Sequence, residues 1–286
     1  MNINWYPGHM VKAQNDIKES MKLIDIVIEI LDARIPRSSS NPIISELAKN
    51  KGRIILLNKA DLADSENLDA WKKEYTKQGF TCISSNANDS RNIQQIINTI
   101  KELGSKIYEE KYKNRNIEIK PIIRALIIGI PNVGKSTIIN KMANKQVMIT
   151  GNKPGVTKKK QWIRISDNID LLDTPGLLWP KLDDDNVGVK LALTGNIKQE
   201  ILDVEELACE GLKLILTNEK YKIMLKEKYN LQDDDFKLDI YDILEVIGRK
   251  RGCIISGGNV DMERAAKILV EDIKNGKIGK ISFDQI

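Results

Sequence analysis

Ile122-Ile123-Arg124-Ala125-Leu126-Ile127-Ile128-Gly129-Ile130-Pro131-Asn132-Val133-Gly134-Lys135-Ser136-Thr137 runs from apolar residues into a glycine loop and on toward the helical pattern Thr137–Met142. The β-branched first half predicts a buried strand, so the order is strand, loop, helix. Gly129 to Ser136 fits the G-x-x-x-x-G-K-[ST] pattern of a phosphate-binding P-loop. Its glycines let backbone N–H groups turn inward around phosphate oxygens, and the helix N-terminus adds its dipole. Asn132, Val133, Gly134, Lys135, Ser136 and Thr137 are therefore expected to line a nucleotide's phosphates. Lys135 would reach the β- and γ-phosphates as a catalytic cation, and the Ser136 hydroxyl would ligate Mg2+.

Downstream, Asp173-Thr174-Pro175-Gly176 follows another apolar run, Ile169–Leu172. An Asp at such a strand end can hold Mg2+ through water, while the Gly176 N–H meets the γ-phosphate. D-x-x-G alone is a weak pattern, and its weight comes from lying after the P-loop at a strand's carboxyl end. Thr157, between the two, is a candidate for ordering around Mg2+; the plainer reading is a loop residue making a local backbone bond.

Upstream, Asn58-Lys59-Ala60-Asp61 ends the apolar run Arg53–Leu57 and matches the N-K-x-D guanine pattern. The Asp61 carboxylate can accept from both the N1–H and the exocyclic amine of guanine; adenine offers neither and would leave a charge unpaired. The Lys59 stem can lie over the base, and Asn58 can brace the P-loop side. Ser84-Ser85-Asn86 follows Phe80–Ile83, where a short loop would touch guanine O6 through a backbone N–H. The usual pattern there is Ser-Ala-Lys, so this assignment rests on position.

Strands are predicted at Ile24–Leu31, Arg53–Leu57, Phe80–Ser84, Ile122–Gly129, Gln161–Ser166 and Asn168–Leu172, with amphipathic helices between them. Asn41 would cap one helix, with Pro42 first and Gly52 after its end; Ser65 would cap the next. From Asn92 an isoleucine stripe predicts a third helix, and Glu109–Lys120 reads as a polar connector. Residues 1–180 thus read as a doubly wound α/β domain, and 181–286, with helices at Val204–Leu216, Tyr241–Gly248 and Met262–Lys274, as a smaller all-helical one. The guanine motifs precede the phosphate motifs, the reverse of the Ras-like order, yet loops from one sheet edge can assemble in space whatever their order.

The chain has 286 residues, 41% of them hydrophobic and 30% charged, the balance of a globular protein. No apolar stretch is long enough to span a membrane, so none is expected as a partner. A cytoplasmic location is expected, with a mitochondrial or plastid matrix as the alternative. Cys82, Cys209 and Cys253 lack the paired spacing of a zinc site or disulfide framework. A net charge of +5 permits RNA binding, and 5% aromatics disfavour base stacking as its mode.

Three further signatures, Trp5-Tyr6-Pro7-Gly8-His9-Met10, Asp32-Ala33-Arg34-Ile35-Pro36 and Leu177-Leu178-Trp179-Pro180 after Gly176, complete a resemblance that spans the chain. The sequence resembles the circularly permuted GTPases, most closely the ribosome biogenesis GTPase A family. That resemblance implies a circularly permuted Ras-like P-loop GTPase domain followed by a helical domain that docks on the ribosome. It implies GTP or GDP with Mg2+ as ligands, and the large ribosomal subunit precursor, with its rRNA and ribosomal proteins, as partner. It implies a late assembly step and hydrolysis stimulated by the particle. Leu177 stands where Ras-like proteins carry the water-orienting glutamine and cannot hydrogen-bond through its side chain. His9, the single histidine, is the replacement that the resemblance points to; bracing the amino-terminal loop is the plainer reading. Asn132 is a K+ ligand by the same resemblance, or else a loop-stabilising amide. Two other classes stay in view: a P-loop kinase or ATPase, against which the Asn58–Asp61 motif stands, and a nucleotide-gated switch with little hydrolysis. Arg249-Lys250-Arg251 and Lys158-Lys159-Lys160 are possible phosphate contacts or solvated surface.

Overall fold

The computed structural model describes residues 17–87, 89–113, 122–147, 161–173, 185–197 and 203–286. Among the described residues six strands form one sheet: β1 (Ile26–Asp32), β2 (Gly52–Asn58), β3 (Thr81–Ser85), β4 (Ile123–Gly129), β5 (Gln161–Ser166) and β6 (Ile169–Asp173). Their order is β3-β2-β1-β4-β6-β5, parallel throughout except β5, which runs antiparallel to β6. Strand alternation sorts the core. Ile26, Ile28 and Ile30 of β1, Ile54 and Leu56 of β2, and Ala125 and Ile127 of β4 enter one hydrophobic cluster. Their odd-even partners Val27, Leu126 and Ile128, or Leu31, Ile55 and Leu57, enter clusters on the other face. Both faces are covered, which is why these strands read as continuous apolar runs.

The short helix α1 (Pro36–Ser39) and α2 (Pro42–Leu47) follow β1; α3 (Ser65–Lys77), α4 (Ser90–Tyr112) and α5 (Lys135–Met142) complete this half. Several expected boundaries move, for local reasons. Asp64, not Ser65, caps α3: its carboxylate accepts from the N–H groups of Glu66 at 3.0 Å and Asn67 at 3.1 Å. Asp89 caps α4 ahead of Asn92. That helix continues through Tyr112, so Glu109–Tyr112 are helical rather than connector. Its last turns are held where Tyr108 donates to Ile122 O and stacks on Tyr112. Gly52 opens β2 instead of ending α2; a Cβ there would meet Ile107 of α4 at 2.7 Å. Gly104 plays the same part on α4, lying directly against Ile123. Pro42 is the first residue of its helix, as expected.

The second half holds α6 (Asp185–Leu193), α7 (Val204–Leu216), α8 (Glu219–Tyr229), α9 (Ile240–Lys250) and α10 (Met262–Lys274). Two of these, α6 and α8, have no counterpart in the sequence reading. Leu207, Leu212, Ile215, Leu244, Leu269 and Ile273 form its core, in one hydrophobic cluster with a face of the sheet. The last residues return to the first half. The Phe283 N–H donates to Arg34 O at 2.8 Å, and the Asp284 carboxylate accepts from Ser38 N, Ser38 Oγ and Lys190 Nζ.

Candidate nucleotide site

Strands β2, β3, β4 and β6 all deliver their carboxyl ends to one edge of the sheet, and Gln161 at the start of β5 pairs with Asp173 at that same edge. The motifs at Asn58, Ser85, Gly134 and Asp173 therefore meet. Asn58 is buried at the end of β2, and its Nδ2 donates to Val133 O in the P-loop at 2.7 Å. Ser85 Oγ donates to Asn58 Oδ1 at 3.2 Å, and the Ala60 N–H to Ser85 O at 3.1 Å. Ser85 is the buried member of Ser84-Ser85-Asn86; Ser84, one strand position earlier, is directed to the other face. The Asn86 N–H is held by Asn92 Oδ1 at 2.9 Å. Asp61 lies exposed beyond Lys59 and Ala60.

Gly134 caps α5 with φ +106°, a conformation L side chains rarely adopt, and a Cβ there would overlap Asn58 Nδ2. Glycine is thus required twice over, by backbone and by the neighbouring motif. Asn132 also has positive φ, and its Nδ2 donates to Gly195 O at 3.1 Å, across to the turn after α6. Lys135, the first residue of α5, is buried; its Nζ donates to Gly129 O and Ile130 O, each at 3.0 Å. Burial pushes its ammonium pKa down to about 8, against the pull of Asp173. Ser136 and Thr137 occupy the first turn of the same helix, and Asp173 is buried on the neighbouring strand.

Hydroxyl and carboxylate oxygens at Ser136 and Asp173 are the hard donors Mg2+ prefers, and so small a set fits an ion that keeps waters and takes the rest of its shell from phosphates. Among the described residues no cluster of three or more His, Cys, Asp or Glu could hold a metal. His9, Thr157 and Gly176 lie outside the described residues, as do Leu177 and Lys158–Lys160.

A further group, to which no sequence motif gives a role, gathers around Asp32. Asp32, fully buried at the end of β1, takes the Lys59 ammonium at 2.9 Å and the Arg34 guanidinium at 2.8 and 2.9 Å. Asn196 Nδ2 adds a bond at 3.0 Å. Burial opposes ionisation of Asp32, but Arg34 and Lys59 overcome it and hold the carboxyl well below the usual range. Arg34 also donates to Thr194 O and Lys274 O, both at 2.8 Å in the helical half. The partners lie 160 or more positions away, so no local pattern announces them.

Residues 124–245 match the family model described as a 50S ribosome-binding GTPase, and residues 42–183 that of the RsgA GTPase. The chain is 44% identical to ribosome biogenesis GTPase A of Bacillus pumilus over 100% of this chain and 99% of that protein. It belongs to the ribosome biogenesis GTPase A family. The family member of Thermotoga maritima is 30% identical, over 99% of this chain and 94% of its own length. The fold is similar to GDP-bound YlqF, with TM-score 0.65 and 27% identity over 94% of this chain and 98% of that one. GNP-bound YlqF from T. maritima gives TM-score 0.62 and 27% identity, over 96% and 98%. As a member of the ribosome biogenesis GTPase A family, the chain is a GTP hydrolase of circularly permuted Ras-like fold. Among the described residues no helix is long and apolar enough to cross a membrane.

Proposed function

We propose that this chain binds GTP along the carboxyl edge of its sheet and hydrolyses it on a precursor of the large ribosomal subunit, in the cytoplasm, at a late step of assembly. The observation that carries the reading is the Asn58–Val133 hydrogen bond, which joins the loop that starts at Asn58 to the glycine loop that precedes Lys135 and so supports one site built from both. Asp61 would accept from guanine N1–H and the exocyclic amine, the Lys59 stem would cover the base, and the loop at Ser84, Ser85 and Asn86 would offer N–H to O6. Backbone N–H groups of Val133, Gly134 and Thr137 would face the phosphates. Lys135 would exchange its loop carbonyls for phosphate oxygens, a move that keeps its charge satisfied throughout. Ser136, with Thr157 and a water on Asp173, would hold Mg2+, which when bound neutralises charge on the phosphates. Gly176 would meet the γ-phosphate. Since Asn132 Nδ2 is engaged by Gly195 O, a K+ contact would use Asn132 Oδ1. His9 would orient the attacking water in place of the side chain that Leu177 lacks.

Single-turnover GTP hydrolysis, with and without purified large-subunit precursors, tests the reading. Stimulation by the particle is expected, and ATP should not compete for the site. His9→Ala should lower the stimulated rate at unchanged GTP affinity, and Na+ in place of K+ should slow it. Equal rates with and without particle would overturn the assembly role; equal rates for His9→Ala, or in Na+, would remove that residue or that ion from the mechanism.

A further inference from the structure

The ion cluster around Asp32 joins parts of the molecule that the nucleotide reading treats separately. Lys59 is held in the left-handed region, at φ +58°, and its ammonium ends on Asp32 rather than in solvent. A non-glycine residue in that conformation is strained and persists only where its surroundings over-determine it. Here the surroundings are explicit. The Asp32 Oδ2 that accepts Lys59 also accepts Arg34 and Asn196, while Oδ1 takes Arg34 Nε and the Arg34 backbone N–H. Arg34 is itself fixed from outside the sheet, by Thr194 O and by Lys274 O. Neighbouring Gly195 O holds the P-loop amide of Asn132. The turn at Thr194–Asn196 thus grips both nucleotide loops, one through Asn132 and one through Asp32.

We propose that Asp32 is a positioning residue for Lys59, and that Arg34, anchored by the helical half, sets Asp32, so that the geometry of the guanine loop is handed to it by the turn after α6 and the end of α10. Asp32 touches no nucleotide in this scheme; it acts by fixing where the Lys59 stem lies. Lysine in place of Arg34 would keep a cation but give up the planar grip on both carboxylate oxygens and on two carbonyls. The proposal rests on the reading of Asn58–Asp61 as the base site.

GDP affinity, measured by fluorescent-nucleotide titration on the full chain, gives the test through a double-mutant cycle. Asp32→Asn and Lys59→Met should each raise the GDP Kd about tenfold, the weight of one charge-assisted contact. The double variant should bind no more weakly than Lys59→Met alone, because Asp32 acts only through that lysine. A general structural role would instead make the losses multiply, and that result overturns the positioning role while leaving the base site intact. If Lys59→Met alone leaves GDP affinity unchanged, the base-site reading falls and the proposal with it. Should Asp32→Asn fail to fold, Arg34→Lys enters the same cycle: weakened binding that disappears in the Lys59→Met background supports the relay, and unchanged or multiplying affinity overturns it.

Discussion

Lys135 carries the clearest consequence at the scale of one residue. Its charge is what the proposed phosphate contact needs, yet burial has brought its pKa down to about 8. Below that value the ammonium is present and ready; above it the free protein must take up a proton before it can grip phosphate. GDP affinity should therefore weaken about fourfold between pH 7 and pH 8.5, the loss that a single group titrating near 8 imposes on a ligand requiring its charged form. Calorimetric titration at the two pH values checks this, and a flat profile would mean the lysine is not neutralised in the free site. Identity at such positions is legible in the sequence because the chemistry tolerates few alternatives: glycine where φ is positive and space is absent, lysine where charge must reach inward. Asp32 shows the limit. Its chemistry depends on Asn196 and on carbonyls of Thr194 and Lys274 reached through Arg34, and distance along the chain hides them.

Among the elements, α4 shows how one missing side chain sets a packing distance. Gly104 faces Ile123, whose Cγ1 would lie 2.6 Å from an added Cβ. Gly104→Ala would gain about 1 kcal/mol of helix propensity but would force a stiff β-branched neighbour aside, at a cost of about 1–3 kcal/mol. The second effect should win, lowering Tm by a few degrees, roughly 2–4 °C per kcal/mol for a chain of this size. Thermal unfolding followed by circular dichroism decides it; a raised Tm would mean that Ile123 repacks freely. Strands β1, β2 and β4 are legible because each is a β-branched run covered on both faces. Strand β6 gains Asp173 because Asp173 pairs with Gln161. Helix α8 stayed hidden because its buried residues Tyr221, Leu225 and Tyr229 are spaced along one stripe among lysines and glutamates, too thin to stand out. Capping by Asp64 rather than Ser65 was unreadable for another reason: adjacent residues of equal capping ability are separated only by the turn that follows.

For the whole molecule, the carboxyl-terminal tail is a clasp between halves. Asp284 accepts from Ser38 and Lys190, and its carbonyl oxygen takes Asn67 Nδ2 and the Trp71 indole N–H. Asp284→Ala would leave a mostly buried ammonium and a buried N–H without their acceptor, a loss of about 3 kcal/mol. Asp284→Asn, keeping one acceptor, should lose less. Urea unfolding gives both values, and a change below half a kcal/mol for the alanine variant would show that the tail contributes little. The strand order has a consequence of its own during synthesis. Strands β1, β2 and β3 leave the ribosome before β4, so the proposed base-reading corner can form while its proposed phosphate-reading neighbour does not yet exist. At about 5–20 residues per second, the wait from Asn58 to Lys135 is roughly 4–15 s. Through that interval β1, destined for the middle of the sheet, has an open edge where β4 will pair. A bound nucleotide cannot help this chain begin to fold; it can only lock what the nascent half has already built.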